Sequence, residues 1–447
     1  MKFEKEVIDL LEEVFSVGKY SGKLFIASPQ NINYIEKRIH LLKKIIPVKN
    51  TVYYFHCREL LNYIKDIIDI FLRNPGYYLA STVESFITVK IFIRKEKISR
   101  EEAASIKELL EFIRNHIKAN EVYLEGLLEE IKILKKILKK AYLIKHDKVL
   151  IEIMRRLNNI KEEANEFKTD NKTNPAYEDI LQKVYGISLR EIEDYIITKA
   201  IEYEHTIRNT YIEDSTPELS INQIIAALKT LAEDVFKLSC REKLYVRKMP
   251  LLFAKYYGEA IYIPSEKIYE KSIPGFLWIN IKAAKKLPKG ELIMLLAHET
   301  YFGHHYYYTS LAKRKIPKLM KIPIYTKATP LAEGIAVYGE YIIGENLGYE
   351  AELKKRLLVK FIRALNDIAV NKYTKTPAIL KRYEKIVEKY STFSKIRPGY
   401  WLCYIAGFKY IKELEKYLES PKQLYDYIID KGLISLSLLK GIEYACT

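Results

Sequence analysis

The chain has 447 residues, of which 49% are hydrophobic and 29% are charged, so it can bury a large core as one large domain or as two or three smaller ones. Its formal net charge of +17 could attract nucleic acid, but the lysines are spread along the whole chain and form no compact basic block or known binding motif, so we expect no nucleic-acid partner. The four cysteines lie far apart without CxxC spacing, and no stretch of about 18 uncharged apolar residues occurs, so we expect no zinc ribbon, disulfide framework or membrane span.

Helices are predicted throughout the first third of the chain. Residues 1–16 place apolar side chains on one stripe of a helix, and they lack the uninterrupted apolar core of a signal peptide, so we expect a cytoplasmic protein. Leu and Ile then recur at helical spacing to about Phe167, with a breaker at Asn74-Pro75-Gly76 and a capping box formed by Ser99 and Glu102. Surfaces rich in Lys and Glu are typical of proteins from organisms that live at high temperature. We expect this part to be a helical scaffold without site chemistry.

A polar stretch at residues 168–175 is the best candidate for a boundary in the first half of the chain. Because it is short, it predicts a loop between two lobes rather than a linker between independent domains. We therefore expect an N-terminal helical lobe over residues 1–170 and a catalytic helical lobe over residues 171–447, which together form one compact unit.

A small β region is predicted between residues 244 and 281. Residues 244–247, 260–264 and 276–281 are rich in β-branched and aromatic side chains, which indicates three short strands. No other part of the sequence shows this pattern. The β region directly precedes the stretch that carries the most site-like chemistry.

That stretch, residues 292–305, contains three of the chain's eight histidines. An apolar run leads into His298-Glu299, and His304-His305 follow closely. An imidazole beside a carboxylate at the end of a buried helix indicates a bound metal with an adjacent general base.

The spacing of these histidines departs from the HExxH pattern, in which two histidines four residues apart share one helix face. The fourth position after His298 is Phe302, which cannot bind a metal. His305 lies on the same face as His298, but about 10 Å further along an ideal helix, which is long for two ligands of one ion. A break at Gly303 could bring either His304 or His305 beside His298. The spacing alone leaves that choice open.

Two later helices carry charged groups at regular spacing. Glu333 lies just after a Thr-Pro helix start, and Glu340 follows two turns later on the same face. Arg363 and Asp367 are four residues apart, a spacing that also suits an ordinary ion pair within one helix.

Residues 298–305 resemble the HExxPGHH motif of the domain-of-unknown-function 885 family. Four more blocks resemble that family in the same order, and together they extend over roughly residues 244–410. These blocks are a strand region, an EGWAxYxE-like block, an RxxxD-like block and a PGQAxxYxxG-like block, at residues 260–262 with 276–280, 333–340, 363–367 and 398–407.

The family is grouped with gluzincin-type metallopeptidases, and the resemblance implies a mainly α fold similar to Taq-type carboxypeptidases and angiotensin-converting enzyme. The implied fold has a deep central cleft and a small β-sheet ahead of the metal-binding helix. The implied cofactor is Zn²⁺, with His298, His304 and Glu333 as ligands and His305 as the alternative to His304. Glu299 is the implied general base.

The resemblance also implies roles around the metal. Tyr404 is expected to donate to a developing oxyanion or to supply a proton. Arg363 is expected to bind a substrate carboxylate or to orient the site. In zinc peptidases of the zincin type, an edge strand before the motif binds extended substrate, and we assign this role to the strand near Trp278. The remaining expected site residues are Asn280 and Tyr338 for substrate binding, and Glu340 and Asp367 behind the ligands.

Four residues depart from the family's pattern, and none of them is a proposed ligand or base. They are Phe302 in place of Pro, Ile335 in place of Trp, Asn371 in place of His, and Tyr400 in place of Gln.

We predict a zinc-dependent metallopeptidase that uses a glutamate base to cleave peptides, oligopeptides or small amides. Two alternatives stay open: a degenerate, non-catalytic binding or scaffold protein of the same fold, and a metal-dependent amidohydrolase or esterase acting on small molecules. The sequence specifies neither the cleavage mode nor the oligomeric state.

Overall fold

Helices dominate the computed structural model of the chain, which confirms the predicted mainly α fold with one small sheet. The structure describes residues 2–15, 24–47, 51–120, 122–167, 173–208, 219–250, 253–254, 258–265, 275–323, 325–373 and 375–444. Most of the loop predicted at residues 168–175 lies outside the described residues. None of the described helices combines the length and the apolar character that are needed to cross a membrane.

The chain divides into two compact units. The first unit comprises Met1–Val184, Ile368–Thr376 and Glu388–Pro398. Its helices are Lys2–Phe15, Pro29–Lys44, Thr51–Arg73, Pro75–Leu79, Ser85–Ile87, Arg100–Ala119, Leu124–Lys145, Lys148–Glu166 and Tyr177–Asp179, with π-helical segments at Ala80–Glu84 and Thr88–Ile93. A third π-helical segment, Ile180–Tyr185, ends at the boundary with the second unit.

Local sequence signals explain where these helices begin. The predicted capping box is present: the Ser99 hydroxyl accepts from the Glu102 backbone N–H, and the Glu102 carboxylate accepts from the Ser99 N–H. At the predicted breaker, the Asn74 side chain accepts from the Tyr77 N–H at 3.0 Å, and Pro75 takes the first helical position.

The second unit comprises Tyr185–Asp367, Pro377–Val387 and Gly399–Thr447. Its helices are Leu189–Arg208, Ile221–Asp234, Ile281–Ala284, Lys289–Glu299, His304–Lys313, Thr329–Asn346, Ala378–Lys381, Tyr400–Glu415, Pro421–Lys431 and Leu436–Tyr444, with 3₁₀ turns at Lys318–Lys321 and Thr326–Ala328. The helices Glu350–Asn371 and Glu384–Ile396 each contribute residues to both units.

The sheet of the second unit has three strands, as predicted. They are β1 (Tyr245–Lys248), β2 (Ala260–Ile263) and β3 (Phe276–Ile279), arranged in the order β1-β3-β2. β3 pairs in parallel with β1 and antiparallel with β2. Within the described residues, β3 is therefore the central strand, and β2 is an edge strand.

Glycines allow one helix of this unit to approach its neighbours closely. We call Thr329–Asn346 the Glu333 helix and Tyr400–Glu415 the Tyr404 helix. A Cβ atom on Gly334 would lie 2.4 Å from the carbonyl carbon of Gly407, and one on Gly339 would lie 2.2 Å from the carbonyl oxygen of Phe302. Only glycine fits at such contacts. The backbone of the Glu333 helix therefore packs directly against the backbone of two neighbouring segments.

Candidate metal centre

A helix break separates the two histidines of the central motif. The helix Lys289–Glu299 ends at Glu299, and a new helix begins at His304. Between them, the Thr300 carbonyl accepts from the N–H groups of Gly303 at 3.2 Å and Tyr306 at 3.1 Å. A Cβ atom on Gly303 would lie 1.7 Å from the carbonyl oxygen of His298, so this tight connection requires glycine.

The break brings His304 beside His298. Their rings are perpendicular, with centroids 4.8 Å apart. Glu333 completes the group, because its Oε2 atom lies 3.6 Å from Nε2 of His298 and 3.4 Å from Nε2 of His304. The three ligand atoms lie within 4.8 Å of one another, and all three residues are buried. Within the described ranges, no other set of three or more His, Cys, Asp or Glu side chains is placed to share an ion.

The surroundings of Glu333 fit a bound cation. Its Oε1 atom accepts from the Tyr400 hydroxyl at 3.0 Å, but its buried Oε2 atom has no hydrogen-bond donor among the described residues and faces the two imidazoles. Burial alone would raise the pKa of Glu333, but His304 and His298 outweigh burial and hold that pKa well below its ordinary value. An ionised carboxylate with two imidazoles is the donor set of many catalytic zinc sites, so these residues fit Zn²⁺.

Glu340 lies next to His298, at the ring nitrogen that does not face Glu333. Its Oε1 atom lies 2.7 Å from Nδ1 of His298. Its Oε2 atom accepts from Arg356 Nε at 2.7 Å and from Lys360 Nζ at 2.8 Å. A carboxylate at Nδ1 holds a proton there, so Nε2, which faces Glu333, is the ring nitrogen that can lose its proton and bind a metal.

These contacts shift the pKa values of both partners. Burial would lower the pKa of His298, but the carboxylates of Glu333 and Glu340 outweigh burial and raise it to about 9. Burial would raise the pKa of Glu340, but Arg356, Lys360 and His298 hold it well below its ordinary value. Both glutamates are therefore ionised at neutral pH.

The predicted base, Glu299, is tied to the sheet. Its Oε2 atom accepts from the backbone N–H of Tyr262 on β2 at 2.6 Å. That N–H points away from β3, so by the alternation of an antiparallel pair the N–H and C=O groups of Ala260 also point outward. Among the described residues, β2 therefore has a free edge, and this edge runs past Glu299.

Two tyrosines from the Tyr404 helix adjoin the ligands. The Tyr404 ring stacks on His298, with centroids 6.0 Å apart, and its hydroxyl lies 3.5 Å from that of Tyr400. Burial, reinforced by the charge of Glu333, raises the pKa of both hydroxyls well above the ordinary value. Both tyrosines therefore stay protonated and can donate hydrogen bonds.

Tyr400 was noted in the sequence only as a departure from the family's pattern, and its contact with Glu333 was not anticipated. Its spacing of four residues from Tyr404 is the signal that could have revealed it, because residues four apart share a helix face.

Arg363 and Asp367 contact the start of the Tyr404 helix. The Arg363 guanidinium lies over the ring of Trp401, 5.1 Å from the centroid. Asp367 Oδ1 accepts from the Gly399 N–H at 2.8 Å. Gly399 has a φ of 85°, in the left-handed region that favours glycine, so this hydrogen bond fixes the turn from which the Tyr404 helix begins.

Four other expected site residues have partners outside the ligand group, and His305 and Tyr338 are two of them. Nδ1 of His305, the alternative ligand, lies 3.3 Å from the Tyr262 hydroxyl, and its Nε2 lies 3.2 Å from the Glu242 carbonyl oxygen. Burial lowers the pKa of His305 to about 4, although the Glu242 carbonyl opposes this shift. The hydroxyl of Tyr338 donates to Glu415 at 2.8 Å.

The other two residues, Trp278 and Asn280, lie on and next to the strand that was expected to bind substrate. Trp278 lies on β3, whose backbone pairs on both sides, so β3 has no free edge for an extended ligand within the described sheet. The Trp278 ring stacks on Phe253, and the Asn280 side chain caps the next helix by accepting from the Ala283 N–H. The free edge next to the site belongs to β2.

The remaining departures from the family's pattern have structural roles. Asn371 belongs to the first unit, where its amide donates to the Ser394 carbonyl and accepts from Asn174. Phe302 and Ile335 are fully buried.

Comparisons with known proteins agree with the predicted family. A family model described as "Bacterial protein of unknown function (DUF885)" matches residues 106–366, which is more than half of the chain. No curated protein matches the chain. One solved structure, described as "The crystal structure of the putative lipoprotein from Colwellia psychrerythraea", is similar over 98% of this chain and 97% of that chain, with a TM-score of 0.69 and 13% sequence identity. At that identity the likeness concerns the fold alone.

Proposed function

This chain belongs to the DUF885 family, whose description assigns no activity, and we propose that it is a zinc-dependent metallopeptidase of the gluzincin type. The observation that carries this proposal is the buried group of His298, His304 and Glu333 with Glu299 next to it in the chain. A Zn²⁺ ion held by these three side chains supplies a Lewis acid that activates water and polarises a carbonyl group.

The residues around the ligands have complementary tasks in hydrolysis. Glu299 takes a proton from the attacking water and passes it to the leaving amine. Glu340 holds the imidazole of His298 in the ligating tautomer. The protonated hydroxyl of Tyr404 donates to the negative charge that develops on the carbonyl oxygen of the substrate.

The position of β2 favours an extended peptide as substrate. The outward N–H and C=O groups of Ala260 can pair with the main chain of a peptide, as in β-strand addition. A peptide paired there lies along the strand that also holds Glu299 through the Tyr262 N–H. Arg363, whose guanidinium lies over the Trp401 ring, is proposed to orient the substrate or to bind its carboxylate.

Metal analysis and a base variant test the proposal. The purified protein should contain one zinc per chain, and a mixed peptide library should be cleaved. Glu299→Gln should keep the metal and lose at least about 100-fold in kcat, which is the usual contribution of a general base. Glu291→Gln, which changes an acid on the same helix that pairs with Lys355, is the matched control and should retain activity.

The outcomes separate the alternatives. A protein that takes up no zinc and cleaves no peptide would be a non-catalytic binding protein. A zinc-loaded protein that hydrolyses only small esters or amides would be an amidohydrolase or esterase. Unchanged turnover in Glu299→Gln would remove Glu299 from the role of base.

A further inference from the structure

One histidine of the motif is neither a ligand nor exposed. His305 is 1% exposed, and both of its ring nitrogens have hydrogen-bond partners. It follows His304 directly on the same helix, but its ring turns toward β2. A buried polar ring with two partners in this position indicates a role other than filling space.

For a neutral His305 ring, the hydrogen bonds around it have one consistent direction. The Glu242 carbonyl can only accept, so Nε2 of His305 must carry a proton. The Gly275 N–H donates to the Tyr262 hydroxyl oxygen at 2.9 Å, so the hydroxyl proton must go elsewhere. With neutral His305, Nδ1 accepts that proton, and every donor in the series has an acceptor.

This series ends at the proposed base. The backbone of Tyr262 donates its N–H to Glu299 Oε2 at 2.6 Å, while the side chain of the same residue donates to His305. The Tyr262 ring is held further by its edge-to-face contact with His305 and by stacking on Tyr308. Any displacement of the Tyr262 backbone would therefore break the hydrogen bonds of its hydroxyl with Gly275 and His305.

We propose that His305 is a positioning residue that, through Tyr262, fixes the Glu299 carboxylate. The inference rests on the proposed function for its effect on turnover, but not for the hydrogen bonds themselves. It gives the second histidine of the His304-His305 pair a task distinct from metal binding: His304 is the proposed ligand, and His305 holds the residue whose backbone N–H contacts the base.

The test uses two variants that interrupt the series at different atoms. His305→Leu removes both ring nitrogens, and Tyr262→Phe removes only the hydroxyl and keeps the ring and the backbone N–H. Each should lower kcat about 10-fold while KM stays within about twofold and zinc content is unchanged, because substrate and metal contacts remain. The double variant should be no worse than either single one, because both changes break the same series.

Rescue and control variants exclude a general loss of packing. His305→Asn places an acceptor near the position of Nδ1 and should restore most of kcat. Tyr301→Phe removes a hydroxyl from a ring that contacts His305 edge-on but keeps the ring and all the hydrogen bonds of the series, so it should behave as wild type.

A second measurement does not depend on activity. In hydrogen exchange followed by mass spectrometry on the metal-free protein, the amide of Tyr262 should exchange at least about 10-fold faster in His305→Leu and Tyr262→Phe, because the N–H of Tyr262 is no longer held against the Glu299 carboxylate. The amides of β3 serve as the internal reference.

The results separate this inference from the proposed function. Unchanged exchange at Tyr262 in both variants overturns the inference, whatever happens to kcat. Faster exchange in a protein that holds no zinc and cleaves nothing supports the positioning of Glu299 by His305 and overturns the proposed function alone.

Discussion

Each of the two units contains a pair of buried glutamates, and the pKa values of the two pairs are shifted in opposite directions. In the second unit, Glu333 and Glu340 have pKa values well below the ordinary range, because imidazole and cationic partners outweigh burial. In the first unit, burial raises the pKa values of Glu84 and Glu130, and their mutual repulsion adds to the rise for Glu130. Burial is similar in both pairs, so the partners decide the charge.

The number of partners explains the difference. Glu340 by itself has three partners, which are Arg356, Lys360 and His298. In the first unit, Arg397 lies 3.5 Å from Glu84, and neither carboxylate oxygen of fully buried Glu130 has a hydrogen-bond partner in the described part of the chain. A buried carboxyl without partners is neutral, whereas a metal ligand must be ionised. Arg356 and Lys360 therefore keep Glu340 ionised beside His298, and the two imidazoles do the same for Glu333.

The largest expected effect comes from neutralising the proposed metal ligand Glu333, which removes the charge that distinguishes the second pair. Glu333→Gln should lose stoichiometric zinc and more than about 100-fold in activity, a larger effect than removal of a supporting partner. Zinc content by atomic emission and peptide turnover measure both effects. Retention of one tightly bound zinc per chain would contradict the assignment of Glu333 as a ligand.

Neutralising the supporting carboxylate should have the next largest effect. Glu340→Gln should weaken zinc binding about 10–100-fold, because His298 loses the acceptor that sets its tautomer. It should also lower stability, since Arg356 and Lys360 stay buried without a countercharge. Zinc titration with a competing chelator and thermal unfolding measure the two effects. Zinc affinity equal to that of wild type would show that Glu340 does not orient His298.

A milder change removes one donor from the ligand carboxylate. Tyr400→Phe should weaken zinc binding by about 10-fold, at the lower end of the range for supporting partners, because Glu333 Oε1 loses a single hydrogen bond. The same chelator competition measures it. Tyr410→Phe, which removes a hydroxyl from a buried ring later in the same helix, is the matched control and should bind zinc as wild type does. Undiminished zinc affinity in Tyr400→Phe would show that its hydroxyl does not support the ligand.

The smallest expected effect concerns the pair in the first unit. The pKa of Glu130 is raised in the folded protein above its ordinary value of 4.5, so the folded state loses stability relative to the unfolded chain as the pH rises above about 4.5. Glu130→Gln removes this loss and should be more stable than wild type at pH 8 but not at pH 4. Each unit of pKa difference corresponds to about 1.4 kcal/mol.

Thermal unfolding of both proteins between pH 4 and pH 8 measures this effect. Glu129→Gln, which changes the neighbouring acid that pairs with Lys132 at the surface, is the matched control and should show no such pH dependence. A difference between Glu130→Gln and wild type that stays constant with pH would mean that Glu130 is ionised in the folded protein.

The sequence allowed the mainly helical fold, the position of the small sheet and the family to be predicted, because these depend on local periodicity and on ordered blocks. It left the choice between His304 and His305 open, because an ideal helix places neither of them well. The structure separates the two rings through the close approach of Gly303 to His298, a contact that helical periodicity does not describe.

Contacts between distant segments were harder to anticipate. The strand order places β3 between its neighbours, so the free edge is on β2 rather than near Trp278, and spacing along the chain carries no information on that order. The pairing of Glu84 with Glu130 joins two helical segments that look like plain scaffold in the sequence. Burial of an acid is a property of packing, which local pattern does not reveal.

The direct backbone contacts of the Glu333 helix affect how the protein tolerates mutation. Ordinary core contacts are made by side chains, which can change rotamer and absorb a substitution nearby. The main-chain atoms packed at Gly334, Gly339 and Gly407 cannot change rotamer. A methyl group added at any of these positions would push the packed segments apart. Substitutions across the rest of the core can therefore accumulate while the distance from Glu333 to the two histidines stays constant. A substitution at any of these three glycines, which are not ligands themselves, would change that distance.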